Sequence, residues 1–228
     1  MQNPIAHNII QLRARISTAE KKFNRTPGIV QLIAVSKTRG ANELRKAAQT
    51  GIKDFGENYL QEALEKQKAL TDLGITWHFI GPVQSNKTAE IAAHFDWVHS
   101  VDRLKVARRL DEQRPQHLLP LNICLQVNIS NEDTKSGVKL EDLDQLAAQV
   151  SLLPRLKLRG LMAIPAPDRS ESELRADFSA IQKALSRLNN QGFNLDTLSM
   201  GMTNDLECAI AEGATMVRIG TAIFGSRN

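Results

Sequence analysis

The sequence predicts one α/β domain over residues 1–228, folded as a closed (β/α)8 barrel of the TIM type. Short β-rich runs alternate with longer helical patterns along almost the whole chain, which favours parallel strands joined by right-handed crossovers. Glycines follow several of the helical stretches, as helix-ending residues do. The eight strand–helix units also fit the length of a small barrel.

The elements are justified in order by runs of apolar and β-branched residues and by helical periodicity. The predicted strands are 30–35, 54–56, 77–81, 97–101, 122–128, 158–164, 197–200 and 216–219. Helices are predicted near 4–23, 41–50, 57–70, 86–93, 103–112, 140–151, 172–190 and 204–212. A doubly wound open sheet is the alternative, but no Gly-x-Gly-x-x-Gly turn follows the first strand.

Composition argues against several classes of function. The net charge is only +4, and the densest basic stretch, residues 103–110, carries apolar residues at helical spacing, which favours a solvated helix face over a nucleic-acid patch. No apolar run approaches the roughly 20 residues of a membrane span, and the N-terminus lacks a signal-peptide pattern. We therefore expect a cytoplasmic protein with no nucleic-acid or membrane partner and with two buried, reduced thiols, Cys124 and Cys208.

Lys37 is the most informative residue, because it ends the apolar run of the first predicted strand. In a barrel, the residues that follow each strand converge on one rim, where this fold carries its chemistry. An amine held there among apolar side chains loses solvation and becomes a nucleophile toward aldehydes. The alternative is a lysine whose stem lies on the strand end while its ammonium reaches water.

The last two strands predict an anion site at the same rim. Gly220 and Thr221 follow strand eight, and Ser199 lies at the end of strand seven. Glycine lets backbone N–H groups approach an anion closely, and the loops after strands seven and eight are the usual phosphate position in this fold. Arg218, in the last apolar run, either faces the ring nitrogen of a ligand or pairs with a carboxylate inside the barrel.

The histidines do not predict a metal site. None of the five shows an HxxH-type spacing, and only His78 and His99 fall in predicted strands. Both are expected to be core or rim residues rather than metal ligands.

Several long motifs resemble the family of pyridoxal phosphate homeostasis proteins, and the resemblance covers essentially the whole chain. The motifs lie at residues 33–38 (IAVSKT), 55–59 (FGENY), 77–87 (WHFIGPVQSNK), 160–165 (GLMAIP), 198–202 (LSMGM) and 217–225 (VRIGTAIFG). The resemblance implies a barrel similar to the N-terminal domain of alanine racemase, which binds pyridoxal 5′-phosphate (PLP) as a Schiff base. The cofactor-binding residues that it implies are Lys37, Asn58, Met162, Ser199, Gly201, Arg218, Gly220 and Thr221.

The resemblance also implies a role for most of these residues. Lys37 forms the Schiff base, and Asn58 lies near the O3′ side of the ring. Ser199 and the main chain of Gly220 and Thr221 hold the phosphate. Arg218 faces the pyridine nitrogen, and Met162 is expected against the ring.

Two positions depart from the familiar bacterial pattern of this family. Position 39 is an arginine where a lysine often follows Ser-Lys-Thr, and the sequence stops at residues 226–228 without a lysine-rich tail. Both departures weaken the idea that extra lysines pass PLP on to apo-enzymes that accept it. Lys135 remains available for such a role.

Arg218 also bears on whether the chain is an enzyme. PLP drives amino-acid chemistry by drawing electrons into a protonated pyridinium ring, and a charged arginine beside the ring nitrogen resists that protonation. In the related racemases a C-terminal β-domain supplies the second acid–base group, whereas this sequence stops soon after strand eight. We therefore expect a non-enzymatic PLP carrier in vitamin B6 and amino-acid homeostasis. A small amino-acid racemase and a cofactor-free Schiff-base aldolase are the alternatives.

Overall fold

The computed structural model describes residues 4–130 and 136–226, and in this part of the chain parallel strands close into a barrel. The first strand pairs with both the second and the eighth. The strands are β1 (Gln31–Val35), β2 (Asp54–Glu57), β3 (Thr76–Phe79), β4 (Trp97–Val101), β5 (Leu121–Val127), β6 (Leu156–Ala163), β7 (Thr197–Ser199) and β8 (Met216–Ile219). This closed order confirms the predicted (β/α)8 barrel and excludes the open sheet.

Helices surround the barrel and follow the predicted pattern. They are α1 (Pro4–Lys22), α2 (Ala41–Ala48), α3 (Leu60–Ala69), α4 (Thr88–His94), α5 (Leu104–Gln113), α6 (Leu143–Ser151), α7 (Glu171–Asn190), α8 (Leu206–Ala211) and α9 (Thr221–Phe224). The sequence did not predict α9, because its 4 residues are too short for a periodic pattern. None of the helices in the described segments has the length and apolar character that crossing a membrane requires.

One predicted boundary at the rim shifts in a way that bears on the site: α3 begins at Leu60 rather than at residue 57. Glu57 instead extends β2 by one residue and pairs with Phe79 of β3. The segment that contains Asn58 is therefore a strand-to-helix connection at the rim, not the first turn of a helix.

The inside of the barrel has an apolar cluster of its own, apart from the core between strands and helices. Its members are Ile33, Trp97, Cys124, Met162 and Met216. Burial raises the pKa of the Cys124 thiol to about 12, so this thiol stays protonated. Cys208, which we expected to be buried, is partly exposed, because it lies on α8 at the outside of the barrel and only one side of it packs against the core.

A buried ion pair supports the turn that carries Lys37. Lys66 on α3 is 5% exposed, and the Glu57 carboxylate is fully buried. Lys66 Nζ donates to Glu57 Oε1 and to the Ser36 carbonyl oxygen, both at 2.7 Å, and to Glu62 Oε1 at 2.6 Å. Ser36 Oγ also donates to Glu57 Oε1 at 2.6 Å. One ammonium thus joins β1, β2 and α3 directly beneath the rim.

Replacing Lys66 with methionine should lower the free energy of unfolding by roughly 3–5 kcal/mol, because the Glu57 carboxylate then stays buried without its cation. Burial already raises the pKa of Glu57, and Lys66 is the main group that opposes this. The Glu57→Gln/Lys66→Met double variant should recover much of the loss, since a neutral amide needs no cation. Urea denaturation followed by circular dichroism measures all of these changes.

The matched control is Arg45→Met, which removes the exposed ion pair between Arg45 and Asp72. Water screens this pair, so stability should change little. If Lys66→Met were no more damaging than Arg45→Met, the buried pair would not hold the turn.

Candidate functional site

A cavity of about 390 Å³ opens at the carboxyl-terminal rim of the barrel. It is lined by Val35, Lys37, Asn58, Ile80, Ile164, Met202, Thr203, Asn204, Asp205, Arg218, Gly220 and Thr221. A larger cavity of about 440 Å³ lies at the opposite end, where the strands begin, and none of the predicted site residues lines it. The rim cavity brings together five of them, from the loops and strand ends of β1, β2 and β8.

Lys37 lies in the turn after β1 and is partly exposed. The next residue, Thr38, has a φ of 65°, a left-handed conformation that a threonine rarely adopts. The Thr38 N–H donates to Glu62 Oε1, the same oxygen that Lys66 contacts. Lys66 therefore holds the backbone on both sides of Lys37, directly at Ser36 and through Glu62 at Thr38, and Lys37 lines the cavity.

Asn58 borders the cavity on the β2 side. Its Oδ1 atom is buried and has no hydrogen-bond partner in the described part of the chain. Buried polar atoms are normally paired, so an unpaired amide oxygen at the wall of a cavity is suited to a polar ligand group. Gly81 makes room for this arrangement, because a Cβ there would lie 2.3 Å from the Asn58 carbonyl oxygen.

The loop after β8 brings the main chain against the cavity. A Cβ on Gly220 would lie 3.2 Å from the Val35 carbonyl oxygen, a tight contact that would shift the backbone at the ends of β1 and β8 by a few tenths of an ångström. Thr221 follows it, is exposed, and lines the same cavity. Gly201 is not a lining residue; it has a φ of 97°, and its carbonyl oxygen accepts from the Arg218 N–H at 2.9 Å. Its position fixes the backbone of β8 at Arg218.

Arg218 is 4% exposed, and its guanidinium forms the wall of the cavity on the barrel side. One amino group donates to Ser199 Oγ at 2.8 Å and the other to the Ala163 carbonyl oxygen at 3.0 Å. These neutral acceptors replace the carboxylate partner that the sequence left open as an alternative. Burial lowers the pKa of Arg218 to about 10, and nearby Asp205 acts in the opposite direction. The group is therefore a cation at neutral pH.

Ser199 and Met162 are placed differently from what their expected roles suggest. Ser199 is fully buried, and its hydroxyl contacts Arg218 and, at 2.7 Å, His99 Nδ1. Met162 is 1% exposed and packs in the interior cluster next to Trp97 and Cys124. Neither residue is among those that line the cavity.

Sequence reasoning missed two residues that shape the site. His99 was expected only as a core or rim histidine, which the structure confirms, but it also contacts Ser199. Asp205 lines the cavity, is 7% exposed, and its negative charge opposes the lowering of the pKa of Arg218 by burial. No spacing in the sequence connects Asp205 with Arg218; the turn after β7 does so only in the folded barrel. The described residues contain no cluster suited to a metal ion, and Lys135 lies outside them.

The cavity thus combines an amine, a buried cation, an unpaired amide oxygen and a glycine-containing backbone turn. An amine next to a cavity can condense with an aldehyde. A buried guanidinium stabilises a hydrogen-bond acceptor or an anion in front of it. The arrangement suits a small aldehyde that carries an anionic group.

Comparisons with known proteins agree with this geometry. The family model described as alanine racemase, N-terminal domain, matches residues 5–228. The pyridoxal phosphate homeostasis protein of Pseudomonas aeruginosa is 58% identical over 98% of this chain and 96% of its own length, and that of Escherichia coli K12 is 52% identical over 99% and 98%.

Solved structures show the same relationship. PipY of Synechococcus elongatus with PLP bound has a TM-score of 0.86 and 39% identity, over 97% of this chain and 100% of that one. Alanine racemase of Corynebacterium glutamicum, at 18% identity and a TM-score of 0.70, shares the fold over 61% of its own length. The chain therefore belongs to the alanine racemase N-terminal domain family and, within it, to the pyridoxal phosphate homeostasis proteins.

Proposed function

We propose that this chain binds PLP as a Schiff base on Lys37 and acts as a non-enzymatic carrier in PLP homeostasis. The observation that carries the proposal is the rim cavity, where Lys37, Asn58, Arg218, Gly220 and Thr221 converge. The homologues named for PLP homeostasis and the PLP-bound PipY structure support it. Apo-enzymes that accept PLP are the proposed partners, and the cytosol is the proposed compartment.

Two features of the cavity fit PLP. The unpaired Asn58 Oδ1 leaves a polar contact for the substituents on one edge of the ring. Gly220 and Thr221 line the cavity, and a glycine at this position lets the main chain come close to a phosphate. Bound PLP supplies an aldehyde for the lysine and a ring that can act as an electron sink.

In this proposal, Arg218 is the residue that makes the site suitable for carrying PLP and unsuitable for catalysis. Its buried charge in the cavity wall favours an unprotonated ring nitrogen, because a second positive charge nearby would be repelled. An unprotonated ring is a weak electron sink. The site is therefore suited to holding PLP without the amino-acid chemistry of related enzymes.

We further propose that Ser199 acts on the part of the site that faces the PLP ring, through its hydrogen bond with Arg218. We had expected its hydroxyl to contact the phosphate, but it is buried behind the cavity wall, where it accepts from Arg218. In this position it orients the guanidinium. Phosphate contacts then fall to Gly220 and Thr221.

Replacing Lys37 with alanine should abolish the covalent adduct while leaving the barrel folded, because a partly exposed rim lysine contributes little to the core. Mass spectrometry of the wild type after borohydride reduction should place the adduct on Lys37. Lys87→Ala is the matched control and should keep the adduct, since Lys87 also follows a strand of the barrel but does not line the cavity. An adduct mainly on another lysine would refute the assignment.

Replacing Thr221 with alanine should weaken the retention of PLP by roughly tenfold or more and leave the retention of pyridoxal nearly unchanged. Each hydrogen bond to a phosphate contributes about 1.5–3 kcal/mol, and pyridoxal has no phosphate. Ser199→Ala should instead weaken both compounds to a similar degree, because it acts through Arg218. Equilibrium dialysis distinguishes the two patterns. Equal losses of both compounds in Thr221→Ala would count against the phosphate position.

The wild type loaded with PLP should exchange the α-proton of L-alanine in D2O only very slowly and should form no D-alanine. Replacing Arg218 with glutamate should raise the exchange rate, since a carboxylate stabilises a protonated ring nitrogen. NMR measures the exchange, and an absorbance spectrum confirms that the variant still binds PLP. Racemisation by the wild type at about 1 s⁻¹ or faster would replace the carrier proposal with a racemase.

A further inference from the structure

A continuous chain of hydrogen bonds crosses the interior of the barrel and ends at Arg218. Asp54 Oδ1 lies 3.0 Å from His78 Nε2, and His78 Nδ1 lies 2.9 Å from His99 Nε2. His99 Nδ1 lies 2.7 Å from Ser199 Oγ, which accepts from Arg218 at 2.8 Å. Five strands contribute one residue each: β2, β3, β4, β7 and β8.

The arginine end fixes the direction of the protons. A guanidinium has only donors, so Ser199 Oγ must accept from Arg218. The Ser199 hydroxyl proton is then free to point to His99 Nδ1, which accepts it. His99 therefore carries its proton on Nε2 and donates to His78 Nδ1. His78 in turn carries its proton on Nε2 and donates to Asp54.

The aspartate end demands the same direction independently. Burial alone would raise the pKa of Asp54, but hydrogen bonds from His78 and Gln31 lower it below the usual value. Asp54 is therefore an anion and can only accept, so His78 Nε2 must be its donor. If both histidines carried their single protons on Nδ1, two acceptors would face each other at 3.0 Å.

A cationic His78 would also give Asp54 a donor. His99 would then donate from Nδ1 to Ser199, whose own proton would have no acceptor among the hydrogen bonds of the described residues. His78, His99 and Ser199 are fully buried, so this unpaired hydroxyl would be unfavourable. A cationic His99 would leave the same Ser199 proton unpaired, and burial, with the positive charge of Arg218 acting in the same direction, lowers the pKa of His99 well below its usual value. The neutral, one-directional chain satisfies every member.

The two ends of the chain carry opposite charges and lie in different surroundings. Arg218 lines the rim cavity, whereas Asp54 borders the cavity at the opposite end of the barrel, with 18% of its side chain exposed. Water can therefore solvate the anion. The guanidinium of Arg218 is 4% exposed, and its hydrogen bonds among the described residues go to two neutral acceptors, Ser199 Oγ and the Ala163 carbonyl oxygen.

We propose that His99, His78 and Asp54 are positioning residues of the ligand site, which keep Ser199 as an acceptor toward Arg218 and so hold the guanidinium as a charged donor facing the rim cavity. This inference rests on the contact between Arg218 and the PLP ring nitrogen in the proposed function. This chain of hydrogen bonds makes the site select ligands whose ring nitrogen accepts a hydrogen bond. Reversing or interrupting this hydrogen-bond chain would leave the Ser199 proton without an acceptor, so the hydroxyl would no longer be fixed in the orientation that holds the guanidinium.

Nitrogen-15 NMR of histidine-labelled protein without ligand tests the chain by itself. At pH 7 both His78 and His99 should be neutral and protonated on Nε2, with His78→Asn and His99→Asn spectra assigning the signals. A proton on Nδ1 of His99, or a cationic His78, would overturn the proposal. This result does not depend on PLP binding.

Two substitutions of His99 test how this chain of hydrogen bonds affects the ligand. The amide of asparagine occupies the place of the imidazole Nδ1, so His99→Asn can still accept from Ser199. The amide of glutamine occupies the place of Nε2, so His99→Gln keeps the contact with His78 and loses the one with Ser199. Both variants lose one of the two contacts in the same core, and a purely structural role would affect them alike.

The readout is the ratio of affinities for PLP and for its 1-deaza analogue, in which a C–H group replaces the ring nitrogen. In the wild type and in His99→Asn, PLP should bind roughly tenfold more tightly or better, because a charged donor then lacks its acceptor in the analogue. In His99→Gln this ratio should fall toward one. The absorbance spectrum of the bound PLP should shift in the same variant only.

Each outcome separates the two proposals. A wild-type protein that binds both compounds equally would refute the ring contact of Arg218, and with it this part of the proposed function. A wild-type preference that persists in His99→Gln would leave the proposed function intact and refute the positioning role. If His99→Gln fails to fold, the tautomers in the ligand-free wild type still decide whether the chain has the direction argued above.

Discussion

The buried charge of Arg218 is the constraint on which the site depends. A guanidinium that is 4% exposed needs acceptors, and the barrel provides a serine hydroxyl and a carbonyl oxygen rather than a carboxylate in direct contact. The nearby carboxylate Asp205 and the distant Asp54 supply the negative charge. A neutralising carboxylate at hydrogen-bond distance would weaken the field in the cavity, so this indirect compensation keeps the wall electropositive.

A second buried charge supports the neighbouring wall of the cavity, at β1 and β2. The ammonium of Lys66 lies between β1, β2 and α3, and its contacts with Ser36 and with the carboxylate that holds the Thr38 N–H fix the turn around Lys37. The two charged systems share no contact among the described hydrogen bonds. The turn that carries Lys37 is thus fixed by buried contacts to neighbouring elements, which favours a ligand bound in one geometry.

The sequence predicts the fold, and which residues meet at the rim, more fully than it predicts the hydrogen bonds between those residues. The alternation of strands and helices predicts the barrel, and position after a strand predicts that Lys37, Asn58, Gly220 and Thr221 meet at the rim. The partners of Ser199 were not predictable, because the direction of an inward side chain depends on barrel stagger and not on order along the chain. Arg39 is similar: as a departure from the family pattern it had no expected role, yet it donates to the carbonyl oxygens after α9.

The interior chain also explains why this barrel tolerates polar residues where such folds usually pack branched apolar ones. A partly satisfied polar core is less stable than an apolar one, whereas a fully satisfied one can specify a single arrangement. Here an arginine that can only donate and an ionised aspartate that can only accept leave one pattern of protons between them. The same pattern that satisfies the core sets the acceptor side of Ser199 toward Arg218, so packing and ligand selection are decided by one set of hydrogen bonds.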